Sequence, residues 1–329
     1  MTTPPTAAGG DNLNTMPNRY AYLGPEGTFT EVALRALRPD APDTARVPCE
    51  GVASVFDAVR TGAVEGGVVP LENSVEGGVT STIAELINGE PLVIGGETAV
   101  PVEFTLFARP GTGLEDVKTV ATHPHALAQC RGWLARALPD AETHTVSSTA
   151  AAARAVSEPG SPYDAAICAV IAGERYGLQT LATGVGDRAD AATRFIYLSR
   201  PGRPPEPTGA DLTSVVAFIA DDHPGALIEV LTQFAVRGVN LTRLESRPTG
   251  DGLGSYCFCI DAEGHVAEAR VGEALMGLRR VCRDVRFLGS YPRSGRAALD
   301  PPLHPRSATE ADYAESERWL ARIRSGGIG

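Results

Sequence analysis

Residues able to do chemistry gather in four short stretches. In DAATRFIYLSR (190–200), Thr193 and Arg194 open an otherwise apolar run, with Phe195 beside them. A threonine hydroxyl can donate a hydrogen bond or relay a proton, and a guanidinium can fork onto a carboxylate. VVPLENSVEGGV (68–79) runs a strand-like segment into Glu72, Asn73 and Ser74 and then into Gly77 and Gly78. That pattern fits a plain turn or one wall of a pocket for a small polar molecule. GPEGTFTE (24–31) offers glycine-flanked amides and the Thr28 hydroxyl at a helix start, which suits an anion or an ordinary capped helix. THPHALAQC (122–130) brings His123, His125 and Gln129 to another helix start, where two histidines are weak grounds for a metal site. All four sit at strand ends or helix starts, where open α/β folds hold ligands. A nucleophile elbow, a phosphate loop and a dinucleotide fingerprint are all absent, so no common cofactor is expected.

The elements that must position these residues follow from periodicity. From Tyr20 to about Ser199 strand-like and helix-like segments alternate, which predicts a parallel or mixed α/β sheet. Thr28 and Glu31 are spaced as a capping box. The helix GVTSTIAELING is expected to stop at Gly89 in a left-handed conformation. Residues 200–210, with four prolines and two glycines, read as a linker. Beyond it, over 211–293, the order strand–helix–strand–strand–helix–strand is the ferredoxin-like pattern. Residues 1–18 read as a disordered leader, with Met16 an alternative start. In the tail, 294–329, one amphipathic helix is expected with Trp319, Leu320 and Ile323 inward.

Composition narrows the partners. The net charge of −11 and the lack of a basic stripe argue against nucleic acid. An anionic substrate would need a local cation. No run of apolar residues is long enough to span a membrane. The six cysteines are scattered without metal or redox spacing, which suggests reduced, buried thiols in a cytoplasmic protein.

Taken in order, GPEGTFTE, VVPLENSVEGGV, HPHALAQC, TRF at 193–195, PGAL at 224–227 and ESRP at 245–248 resemble the bacterial prephenate dehydratases that carry a C-terminal ACT domain. The likeness covers residues 20 to about 293. It implies a type II periplasmic-binding-like catalytic domain over 19–199, with lobes of roughly 20–100 plus 185–199 and 101–184 and the active site between them. The implied reaction is the decarboxylating dehydration of prephenate to phenylpyruvate, without a cofactor or metal.

By the same resemblance Thr193 is the candidate proton donor. Arg194 is the candidate cation for the dianion, or a brace for the Thr193 loop, and Phe195 would fix the ring. Thr28, Asn73, Ser74, Gly77 and Gln129 are the candidate substrate contacts. Glu72 is left out, because a carboxylate facing a dianion repels it unless protonated or turned away. The resemblance further implies L-phenylalanine as effector at Gly225, Ala226, Leu227, Asn240, Leu241 and Ser246, in a homodimer or homotetramer. A non-catalytic small-molecule sensor and a dehydratase acting on arogenate remain open.

Overall fold

The computed structural model describes residues 18–220, 223–250, 255–295 and 308–327. The expected leader, Asn18 apart, and residues 296–307 of the tail lie outside them. Three sheets make up the rest. In the first lobe β1 (Tyr20–Leu23), β2 (Arg46–Cys49) and β3 (Gly66–Asn73) run parallel. The short β4 (Gly77–Gly78) hairpins back onto β3. β5 (Val93–Pro101) closes the sheet beyond β11 (Ala192–Ser199), in the order β2-β1-β3-β11-β5. Helices α1 (Phe29–Leu37), α2 (Val52–Arg60) and α3 (Thr80–Asn88) belong to this lobe.

The second lobe has the order β10-β6-β9-β7-β8. Its strands are β6 (Thr105–Ala108), β7 (Thr119–Thr122), β8 (Glu142–Thr145), β9 (Ala165–Cys168) and β10 (Gln179–Ala182). Its helices are α4 (Pro124–Ala137), α5 (Thr149–Ser157) and α6 (Val170–Arg175). The chain crosses between lobes twice, and the two crossings are stitched together. Val102 N–H donates to Ala191 O at 2.8 Å, and Val185 N–H to Phe104 O at 3.0 Å.

The third sheet, β13-β14-β12-β15, is antiparallel throughout. It comprises β12 (Asp211–Ile219), β13 (Leu241–Pro248), β14 (Tyr256–Glu263) and β15 (Cys282–Pro292). One face packs on α7 (Ala226–Ala235) and α8 (Ala269–Val281) through Val215, Ala217, Val230, Phe234, Ile260 and Leu278. The other face does not meet solvent. Leu212, Val216, Cys257, Cys259, Leu288 and Tyr291 join Val69, Leu71, Ile94, Ile196 and Leu198 of the first lobe in a single apolar core. The proline-rich stretch therefore joins two units that share a core.

Three expectations need correction. Gly89 caps α3 in an extended conformation, φ −77°, not a left-handed one. A side chain there would collide with the Arg60 guanidinium, so close packing is the reason for glycine. The capping contact on α1 is present but shifted. Thr28 Oγ1 accepts from Glu31 N–H at 3.4 Å, while the Glu31 carboxylate reaches one residue further back, to Gly27 N–H at 2.7 Å. In the tail, α9 (Glu310–Arg324) anchors its first turn on α8, where Ala269 N–H donates to Glu310 at 2.8 Å. Trp319, Leu320 and Ile323 are exposed at 49%, 39% and 41% instead of packing inward.

Candidate active site

The cleft between the two lobes encloses about 700 Å³, the range of a small-molecule site. Four helix starts open on it: Thr28–Phe29 of α1, Val79–Thr80 of α3, His123 of α4 and Ser148–Thr149 of α5. Helix starts favour negative charge. That matters here, because among the described residues no arginine or lysine lines the cleft. At α1 the favourable end is already occupied, since Gly27 N–H holds the buried Glu31 carboxylate, which Arg35 also contacts at 2.7 Å. The expected anion site at GPEGTFTE is therefore filled by the chain itself.

Thr193 and Asn73 meet in the cleft. They are cross-strand partners on β11 and β3, and Asn73 Nδ2–H donates to Thr193 Oγ1 at 2.9 Å. The amide orientation follows from its other end, where Asn73 Oδ1 accepts from Val75 N–H at 2.9 Å and from Glu76 N–H at 3.1 Å. With its oxygen accepting from Asn73, the Thr193 hydroxyl keeps its own hydrogen for a ligand. Phe195 lies two residues on and lines the same cleft, as strand alternation requires. Thr28, Gly77 and Gln129 line it too. Gly77 takes φ +81°, which allows the tight β3–β4 turn without strain.

Two of the expected site residues point elsewhere. Arg194 alternates to the opposite face of β11. There its Nε–H donates to Glu97 at 2.6 Å, one Nη–H to Asp261 at 2.6 Å, and the other to Tyr291 Oη at 3.0 Å. Burial works to lower the arginine's pKa. Asp261, Tyr291 and Glu97 outweigh it, so the net shift is upward and the group stays charged. It is neither a cleft cation nor a solvated rim residue. Ser74 also leaves the cleft: its Oγ accepts from Ala192 N–H at 3.0 Å and staples the end of β3 to β11. Glu72 turns away, 3.9 Å from Arg243 on the third sheet.

The second lobe contributes a wall the sequence reading did not single out. Phe104 stacks edge-on against Phe29 with centroids 5.9 Å apart, and Ser147, Ser148 and Thr149 follow β8. The signal was available: a serine pair and a threonine between a strand and a helix is the pattern used for the other stretches. Glu76 bridges the lobes, accepting from Gln129 Nε2–H at 3.2 Å and pairing with His125. His123 Nδ1 accepts from His125 N–H at 3.3 Å and so caps α4. Burial, helped by the neighbouring His125 and opposed by Glu76, holds the His123 pKa below its ordinary value.

The candidate effector residues fall into two separate groups. Gly225, in a left-handed conformation and with none of the described residues within reach of where a Cβ would stand, begins α7 at the end of the sheet where β12 finishes. Ser246 lies level with Ala217 at that same end. Leu241 and Asn240 are level with the start of β12, about 16 Å away along the strand. Strand β13 is an edge strand, and within one chain the two groups do not meet.

The model of the prephenate dehydratase family matches residues 20–203, and that of the ACT domain matches residues 214–280. The chain belongs to the prephenate dehydratase family. A prephenate dehydratase of Amycolatopsis methanolica is 48% identical, with 94% of this chain and 99% of that protein covered. Among solved structures, a prephenate dehydratase from Arthrobacter aurescens in complex with L-Phe is 49% identical with a TM-score of 0.87, covering 93% of this chain and 99% of that one. GqqA, a quorum-quenching acylase, is 33% identical with a TM-score of 0.76, covering 84% and 98%. The expected two-lobed fold with an ACT domain and the expected lyase class are borne out. Among the described residues no helix is long and apolar enough to cross a membrane.

Proposed function

We propose that the cleft converts prephenate to phenylpyruvate, carbon dioxide and water, with Thr193 as the hydrogen-bond donor to the departing hydroxyl. The 2.9 Å bond from Asn73 to Thr193 carries this reading. The electron pair of the breaking bond to the ring carboxylate moves through the ring and expels the opposite hydroxyl, which leaves as water once protonated. Aromatisation drives the reaction, so neither a strong nucleophile nor a metal is required. As negative charge builds on the leaving oxygen, the Thr193 hydrogen moves toward it, the Asn73 amide stabilises charge left on Oγ1, and a proton from solvent restores the hydroxyl. Phe29, Phe104 and Phe195 give the ring an apolar surround, which favours neutral carbon dioxide over a buried carboxylate. The side-chain carboxylate is best placed at the starts of α4 and α5, beside His123, Ser147 and Ser148.

Acyl hydrolysis, the chemistry named for the acylase of the same fold, has less support. The Thr193, Thr28 and Ser148 hydroxyls are engaged by Asn73, the Leu23 carbonyl and the Ala151 amide, with no histidine partner. The ultraviolet absorbance of phenylpyruvate, followed from prephenate and from arogenate, tests the reading and the substrate together. Thr193→Ala should lower kcat by ~10²–10⁴ with little change in KM. A folded alanine variant within a few-fold of the parent rate would remove Thr193 from the chemistry.

Feedback belongs to the same reading. L-phenylalanine is the effector, held where the β13 edges of two copies run antiparallel. That arrangement brings Asn240 and Leu241 of one copy to Gly225, Ala226, Leu227 and Ser246 of the other, so a homodimer is the smallest responsive unit. The cytoplasm is its setting, in keeping with six free cysteines.

A further inference from the structure

The sheet that holds the catalytic pair is gripped from behind by the ACT domain, at the neighbours of both members of that pair. Thr193 and Asn73 pair across β11 and β3 on the cleft side, and Arg194 and Glu72 pair next to them on the opposite side. Both back-side residues end on the ACT sheet. Arg194 binds Asp261 of β14 and Tyr291 of β15 as well as Glu97 of β5. Asp261 and Tyr291 are themselves tied through Ser214 Oγ, at 2.6 Å to each. Asp261, Ser214 and Tyr291 are all at least 98% buried.

Glu72 faces Arg243 of β13, whose neighbour Glu245 pairs with both Arg243 and Arg247. The Glu245 carboxylate packs closely on β4, 2.6 Å from where a Cβ at Gly78 would stand. A register shift in the β3–β11 pairing falls between Arg194 and Phe195, beside the catalytic pair. Such bulges bend a strand and re-aim its side chains.

We propose that Arg194 and Glu72 are positioning residues, through which the ACT sheet sets the alignment of Asn73 with Thr193. This rests on the reading of Thr193 as the donor. Arg194 is fixed in three directions by buried partners, so its Cα, and with it the Thr193 backbone, has little freedom. β13 carries alternate faces: Arg243, Glu245 and Arg247 grip the catalytic lobe, while Thr242, Leu244 and Ser246 are exposed on the other side. A ligand bound on the exposed face acts on the same strand that holds Glu72. The coupling therefore needs only a small movement of one strand, passed to the cleft as a change in the alignment of Asn73 with Thr193.

The test uses the full chain and the mild variants Tyr291→Phe and Ser214→Ala, with Asp261→Asn as a stronger one. Each should lower kcat, roughly tenfold for Asp261→Asn, the rate equivalent of a charge-assisted hydrogen bond, with KM nearly unchanged. In a Thr193→Ala background the same changes should have no further effect on the residual rate, because they act through Thr193. L-phenylalanine should still bind Asp261→Asn by calorimetry while altering its kcat less than it alters the parent's. Variants that lower the melting temperature but leave kcat intact would overturn the proposal, as would losses that multiply with Thr193→Ala. A Thr193→Ala enzyme that is nearly as fast as the parent would instead overturn the donor reading, so the two failures are distinguishable.

Discussion

Asn73 and Thr193 face each other across β3 and β11, the amide of one donating to the hydroxyl of the other at 2.9 Å. Asn73 also accepts two backbone N–H groups of the turn that follows it. The residue thus does two jobs with two ends of one amide, and substitution can separate them.

Asn73→Asp keeps the acceptor for the Val75 and Glu76 amides but cannot donate to Thr193 when ionised. Its charge also opposes a dianionic substrate. The melting temperature should hold within a few degrees while kcat falls by about 10² or more, an oxyanion-type loss. A phenylpyruvate assay beside a thermal melt would reveal a purely structural asparagine, if both quantities fell together.

Gly289 is a seam residue between the domains. Its φ of +141° lies in the region that favours glycine, and a Cβ would strike the Ile94 carbonyl of β5. Backbone cannot swing away as a side-chain tip can, so Gly289→Ala should destabilise by about 1–3 kcal/mol. Urea unfolding should show a lower midpoint, in a single transition if the shared core makes the chain one cooperative unit.

His123 gives a pH signature. Its folded pKa lies below the ordinary 6.5, because burial, and then His125, disfavour the charged ring. Between the two pKa values the unfolded chain binds more protons, so stability present at pH 7 is lost as pH falls through that window. His123→Asn retains an acceptor for the start of α4 but does not titrate. Melting temperatures between about pH 5 and 7 should fall less steeply for the variant. Parallel slopes would assign the effect to other histidines.

The separation of the two candidate effector groups, one at the start of α7 and one at the start of β13, makes subunit mixing informative. Gly225→Trp and Asn240→Ala should each abolish the response to L-phenylalanine. Hybrids of the two carry one doubly damaged site and one intact site. Mixed and re-associated protein should therefore regain part of the inhibition, and no recovery would mean that each site lies within one chain.

Much of the architecture is visible in the sequence, because each element announces itself by period and by its start and stop residues. Orientation is harder. Thr193, Arg194 and Phe195 occupy successive strand positions, so Arg194 had to face away from the other two. Reading the three as one motif hid that alternation. The run LTSVVAFIA in β12 is apolar on both faces, which signals a sheet buried on both sides. Part of what covers the second face comes from residues far back in the chain, such as Val69, Leu71 and Ile94, and no local pattern identifies them. Ser74 is similar: a hydroxyl at a strand end looks the same whether it meets a ligand or the Ala192 amide.

The absence of arginine and lysine among the described residues that line the cleft has a consequence for how the enzyme meets its substrate. Many enzymes that act on anions draw them in by a positive field and slow down as salt is added. On the proposed reading a protein of net charge −11 receives a dianion at helix starts and hydroxyls, whose influence ends within a helical turn. Attraction therefore acts only after arrival, and the approach runs uphill. Raising ionic strength shortens the screening distance, to ~8 Å near physiological salt, and should speed capture. Where encounter limits turnover, kcat/KM should rise with salt.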